Sequence, residues 1–340
     1  MTTVPTIFES QTFPIKVKLA GGERVMDRVH LMGRDEWLAI HAAIAAGRPL
    51  LVRGEPGIGK SQMARAAARL LGRVFIKHVI DSRSESRDLL YHYDAVRRLA
   101  DAQVVGALGE SGEAKWQEVQ ARLDLSRYVQ PGPLWWAFDW DNARQQAEKS
   151  NSQPPPQPDG GAWQQGAVLL LDEIDKAESE LPNGLLEALG NRSFTPLGQN
   201  QPVSAGDSLP LVIITTNEER ALPDAFMRRC LVLRLGLPGS DGELKSFLVA
   251  RGEAHFNSET SQLAPKVLQK AAELLARHRR DALKVQVTPL PGQAEYLDLL
   301  RAVLGLSSES EQQLELLEQV GEFTLKKNMA WDGSSTASHH

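Results

Sequence analysis

The run Gly54-Glu55-Pro56-Gly57-Ile58-Gly59-Lys60-Ser61, followed by Gln62, carries the most explicit chemistry in the chain and fits G-x-x-x-x-G-K-[ST]. Glycines let backbone N–H groups approach phosphate oxygens, and a helix beginning there adds partial positive charge. Lys60 can neutralise β- and γ-oxygens, and the Ser61 hydroxyl can ligate Mg²⁺. ATP is the ligand such a loop suits, so Gly54 through Gln62 are its candidate contacts. A phosphate cradle also needs a metal carboxylate and a water activator. Asp172-Glu173 follows the apolar run Val168 to Leu171, where Asp172 can hold Mg²⁺ with Ser61 and Glu173 can orient and deprotonate a water. A third apolar run, Leu211 to Thr215, leads to Asn217, whose amide can hold that water from the other side.

These residues need strands that end together. Pro49 to Val52 precedes the loop, and the Ala-rich helical pattern Gln62 to Leu71 follows it, stopping at Gly72. Val74 to Ile80 is β-type, and Leu231 to Leu235 is a further strand after Leu222 to Cys230. Asp35 to Ala46 predicts a helix ending at Gly47. Strands apolar at successive positions and separated by helical patterns predict an α/β fold around a parallel sheet. Beyond Pro238 the pattern turns helical, with Gly242 to Ala250, Ala264 to Ala276 and Ala294 to Leu304 as helices of a smaller second domain. The division expected is 1–237 for the α/β domain, 238–330 for the helical one, and a frayed tail over 331–340.

Asp94 to Trp163 is longer than a crossover requires and reads as an insertion, with a helix around Ala114 to Leu125. Its polar stretch Lys149 to Gly161 predicts a mobile loop. Trp135, Trp136, Phe138 and Trp140 either cover a sheet edge or, with that loop, present an anchor to a partner.

At 340 residues, 42% apolar and 24% charged, the chain can bury a real core, and its net charge of -5 lacks the basic excess of a dedicated nucleic-acid binder. No apolar run reaches a membrane span and no secretory leader is visible, which predicts a cytoplasmic protein without membrane insertion. Cys230 is the single cysteine and reads as a packing residue, and His78, His92 and His255 read as structural or exposed. Arg277-His278-Arg279-Arg280 reads as the charged last turn of a helix, which its dipole favours, with a phosphate-backbone contact as the alternative.

In their order, the phosphate loop, the strand-terminal Asp-Glu, the strand-terminal Asn and the arginines before the last strand resemble the AAA+ ATPases. GEPGIGKSQMARA, RDLLYHYDAV, GPLWWAF, LLLDEIDKA and TTNEERALPDAFMRRC, spread over about residues 30 to 240, are similar to blocks of the MoxR family. The resemblance implies a P-loop NTPase with a five-stranded parallel sheet of order 5-1-4-3-2, a helical lid, and usually a hexameric ring acting on a client protein, often one with a von Willebrand factor A domain. Lys60 and Ser61 then belong to Walker A, Asp172 and Glu173 to Walker B, and Asn217 is sensor 1. Arg229 is the arginine finger, with Arg228 as second choice; the alternative is an arginine pair solvating a helix end. Where the family commonly has a sensor-2 arginine, Pro289 to Glu295 carries no cation, and Lys284 or Arg301 could substitute. Two other readings stay open. One is a nucleotide-controlled switch for a defence or signalling effector. The other is a GTP-driven restriction motor like that of McrBC, which Asn217-Glu218-Glu219-Arg220 resembles.

Overall fold

The computed structural model describes residues 12–21, 28–107, 113–178, 180–206, 208–258 and 261–326, so the tail over 331–340 lies outside the described residues. The chain opens with an antiparallel pair, β1 (Ile15–Leu19) and β2 (Arg28–Met32), followed by α1 (Arg34–Ala46), β3 (Leu50–Arg53), α2 (Lys60–Leu71) and β4 (Val74–Val79). The insertion supplies β5 (Tyr91–Tyr93), α3 (Ala95–Ala107), α4 (Glu113–Arg122), β6 (Val129–Pro131), α5 (Pro133–Phe138) and α6 (Trp140–Ser150). Next come β7 (Ala167–Asp172), α7 (Glu180–Asn191), β8 (Ser193–Phe194), β9 (Val203–Ser204), β10 (Leu211–Thr216), α8 (Asp224–Met227) and β11 (Leu231–Arg234). The chain then continues through α9 (Asp241–Phe256), α10 (Pro265–Lys284), α11 (Gln293–Leu306) and α12 (Ser310–Thr324).

The central sheet runs β11-β3-β10-β7-β4, and its pairings are all parallel. Numbered along the chain these strands lie in the order 5-1-4-3-2, as the resemblance implied. The uninterrupted apolar runs follow from burial on both faces: all six positions of β7 and all six of β10 are buried. Alternate residues serve opposite layers. Leu169, Leu171, Val212 and Ile214 pack with Trp135 and Phe226, whereas Val168, Leu170, Ile213 and Leu50 pack with α1 and α2. Alanines let α2 lie close on the sheet, and Gly72 ends that helix in the left-handed region. Helices α9 to α12 form their own apolar cluster around Leu248, Leu268, Leu275, Tyr296, Leu300 and Leu317. Among the described residues no helix is long and apolar enough to cross a membrane.

Of the two readings of the aromatic cluster the structure bears out the one in which it covers the sheet, and the expectation of a mobile loop after it is corrected. Trp135, Trp136 and Phe138 are buried in the sheet's core, and Trp140 stacks edgewise on Trp136, so this cluster is no exposed anchor. The stretch 149–161 is not a mobile loop. Its first residues finish α6, Gln157 bonds both the N–H and the C=O of Phe75 at 2.8 Å, and Asp159 pairs with Arg65. The segment substitutes for a neighbouring strand along the open edge of β4, whose backbone groups would otherwise lack partners. Exposed apolar side chains of the insertion include Val96, Leu99 and Val104 on α3.

Candidate functional site

Residues 54–59 lie between β3 and α2, and the loop closes on its own lysine. Gly59, at φ 102°, caps α2 in the left-handed region, which L side chains rarely adopt. Lys60 is buried, and its three ammonium donors go to the carbonyls of Gly54 (2.6 Å) and Glu55 (3.0 Å) and to Asn217 Oδ1 (2.7 Å). Burial pulls the Lys60 pKa below its ordinary value, although Asp172, Asp175, Glu173 and Glu218 pull the other way. The same ammonium can redirect its donors to phosphate oxygens entering the loop.

Asp172 closes β7 beside it. The Ser61 hydroxyl lies 2.8 and 2.9 Å from its two carboxylate oxygens, Thr215 Oγ1 donates to it at 2.6 Å, and Lys77 Nζ is 3.0 Å away. Burial raises the Asp172 pKa, but the bonds from Thr215, Lys77 and Ser61 outweigh it and hold the carboxylate below its usual range. A buried, ionised carboxylate touching a serine hydroxyl is a hard-oxygen donor set. Mg²⁺ fits such a set, since it keeps few protein ligands and shares the rest with phosphates and water. Among the described residues no group of three or more His, Cys, Asp or Glu gathers as a metal cage.

A strained residue follows each of two strands, directly after β7 and one residue beyond Asn217 after β10. Glu173 (φ 65°) and Glu218 (φ 63°) both lie in the left-handed region, and their N–H groups are held by Thr215 Oγ1 (3.0 Å) and Thr216 Oγ1 (2.9 Å). The turn carries the Glu173 carboxylate out of the sheet, where Lys176 holds it at 2.6 Å. Asp175 accepts from the backbone N–H groups of Asn217 (3.2 Å) and Glu219 (3.0 Å), which fixes the Asn217 turn. Lys60, Ser61, Asp172 and Asn217 therefore meet at the C-terminal ends of β3, β7 and β10, with Glu173 at the rim. Arg228 and Arg229 do not join them. Both are exposed and precede β11, at the opposite edge of the sheet.

The lid also touches the loop. A Cβ on Gly57 (φ 76°) would meet Ala294 Cβ at 2.8 Å, so the start of α11 sits on the loop. Arg279, whose side chain is 13% exposed, reaches from α10 to Glu55 (2.8 Å) and to the Pro291 carbonyl (3.1 Å). Arg277 and Arg280 face Glu318 and Asp241. The cluster is thus more than a charged helix end, and Arg279 is its one member on the loop. Lys284 and Arg301 pair with Asp281 and Asp298 on their own helices, so neither is the lid cation at the loop. Sequence reading also missed Thr215 and Lys77; a buried polar residue within an apolar strand end was the only local signal for Thr215.

A family profile, AAA domain (dynein-related subfamily), matches residues 49–230, just over half of the 340 residues. A search of curated proteins finds no match. Among solved structures, a candidate ATPase from Cytophaga hutchinsonii is 15% identical, covers 86% of this chain and 80% of its own, and has a TM-score of 0.37. A RuvB point mutant from Thermotoga maritima is also 15% identical, covers 84% and 67%, and has a TM-score of 0.44. Likenesses this loose add nothing to the strand order above. The profile spans the phosphate loop, the acidic strand end Asp172-Glu173, Asn217 and the arginine pair, and the chain belongs to the AAA domain family, dynein-related subfamily, as an ATP hydrolase.

Proposed function

We propose that the chain is a Mg-ATP-dependent ATPase of MoxR type that works as a ring and uses hydrolysis to remodel or activate a partner protein. The observation that carries this reading is the separation of its parts. Lys60, Ser61, Asp172 and Asn217 meet at one edge of the sheet, and Arg229 stands exposed at the other. The four residues of β3 alone span about 13 Å, too far for an arginine to return to its own γ-phosphate. A second copy would bring its phosphates to Arg229, or to Arg228 in the alternative register.

In this reading Lys60 leaves the Gly54 and Glu55 carbonyls for phosphate oxygens, and backbone N–H groups of 54–62 complete the cradle. Ser61 and Asp172 would hold Mg²⁺, which supplies charge neutralisation at the β- and γ-oxygens. Glu173 exchanges its pair with Lys176 for the attacking water and takes its proton, while the Asn217 amide orders that water. Arg229 from a neighbour stabilises charge on the transferred group, a contribution of about a thousandfold or more. The client, von Willebrand factor A domain or other, is not met through the buried tryptophans. The Lys176–Glu173 pair also suits a nucleotide switch whose bound state acts without turnover.

The test is turnover by the purified chain. ATP should be hydrolysed with Mg²⁺ in preference to GTP. Lys60→Ala should lose binding, and Glu173→Gln should bind without turnover. Specific activity should rise with protein concentration, and Arg229→Ala mixed with Lys60→Ala should recover activity that neither has alone. Tight binding with no turnover would select the switch, equal use of GTP the restriction-motor reading, and concentration-independent activity would remove the ring.

A further inference from the structure

At the N-terminal edge of the sheet, opposite the phosphate loop, lies a cavity of about 650 Å³ lined by Arg48, Arg73, Arg192 and Arg229. The topology brings them together: Arg48, Arg73 and Arg229 stand just before β3, β4 and β11, and Arg192 follows α7. The Arg192 guanidinium packs over Gly47, within 3.3 Å of where a Cβ would sit. Arg73 donates to the Leu209 carbonyl at 3.2 Å, and burial pushes its pKa down, as for a cation without a counter-charge. Among the described lining residues there is no Asp or Glu, and apolar walls such as Phe138 and Leu186 complete the space.

A plain explanation is that arginines settle at helix C-termini, and α1, α2 and α7 do end here. Its magnitude falls short. Three helix ends supply about −1.5 of partial charge against four guanidinium groups, leaving a surplus of about +2.5 in a half-enclosed space. Planar guanidinium forks around such a surplus match phosphate oxygens. The volume lies within the range of about 300–1,000 Å³ that holds small ligands.

We propose that this cavity is a second anion site, in which Arg48, Arg73 and Arg192 join Arg229 in binding the phosphates of a polyphosphate-bearing ligand. Two sources share that chemistry, a free polyphosphate and the nucleotide in a neighbouring copy's loop; only the latter rests on the ring reading above.

The experiment compares the full chain with Arg48→Gln/Arg192→Gln, both exposed positions, in two backgrounds. With Lys60→Ala disabling the loop, inorganic tripolyphosphate is titrated by calorimetry. With the loop intact, ATP affinity and turnover are measured. A free ligand predicts micromolar tripolyphosphate binding that the double substitution weakens at least about tenfold. A neighbour's nucleotide predicts no such binding, unchanged ATP affinity, and turnover reduced at least about tenfold and partly restored by mixing with Lys60→Ala copies. Arg192→Gln alone gives the same readouts if the double variant is destabilised. If the arginine substitutions change neither tripolyphosphate binding nor turnover, the proposal fails. Concentration-independent turnover would remove the ring reading and leave the free-ligand arm standing.

Discussion

The Thr215 hydroxyl on β10 ties down the acidic end of β7, since it donates to Asp172 at 2.6 Å and accepts from the Glu173 N–H at 3.0 Å. Removing it strands a buried donor and leaves Asp172 with fewer partners, which costs about 1–3 kcal/mol. Thr215→Val, nearly the same shape, should therefore lower stability by that amount in urea unfolding and raise the Mg²⁺ concentration needed for nucleotide binding. An unchanged Mg²⁺ requirement would show that Thr215 only fills space. At this scale Lys60, Ser61, Asp172, Glu173 and Asn217 were legible, because each sits in a local pattern of turn, strand end or helix start that names its neighbours. Thr215, Lys77 and Arg279 were not. Their roles rest on contacts with residues distant in the chain, Lys77 with Asp172 and Arg279 with Glu55, which no spacing announces.

Among the elements, buried strands and the helices that cover them were legible from uninterrupted apolar runs, and the strand order followed from the family resemblance. The insertion was misread for a physical reason. Proline and polar residues from Ser152 to Gly161 resemble a solvated loop, yet extended polar chain is what can satisfy an open strand edge, and Gln157 and Asp159 do so by side chain. The Asp159 side chain, 5% exposed, also accepts from the Ala20 N–H at 2.6 Å, so it joins α2, the end of β1 and the β4 edge. Breaking a buried pair from one side costs about 3–5 kcal/mol. Asp159→Ala should thus lower stability by about 3 kcal/mol, with Asp159→Asn milder because it keeps an acceptor for Ala20. Deleting 145–160 should cost the fold itself. A deletion that leaves the melting temperature and basal turnover intact would restore the loop to a dispensable role.

Across the whole molecule, the lid is joined to the α/β body where α9 meets β2, and that joint contains a histidine that titrates out of place. Burial pushes His255 down to about 4, with Arg301, Arg251 and His30 adding repulsion and a hydrogen bond with the Val29 backbone opposing them. Beside it Arg251 lies over the Phe247 ring and donates to Gln293 at 2.6 Å, at the start of the helix that rests on the phosphate loop. The sign follows from proton counts. Below the ordinary histidine value of about 6.5 the unfolded chain binds a proton that the folded chain refuses. His255 therefore gives its full stabilising share above about pH 6.5 and loses it as the pH falls toward about 4. Buried carboxylates such as Asp172 weaken the protein at lower pH, whereas His41, His78 and His278, also lowered by burial, add to the loss between about pH 6.5 and pH 5, so the difference between the parent and a His255 variant is what isolates this imidazole. Across that interval the melting temperature should fall further in the parent than in His255→Gln, which cannot take up the proton. Because His255 lies in the joint, lid contact with the loop should loosen in the same interval, and nucleotide affinity should weaken more in the parent than in the variant. Parallel curves for the two proteins would mean that His255 takes up its proton equally in the folded and unfolded chain, and that it is no pH-sensitive element of the joint between lid and body.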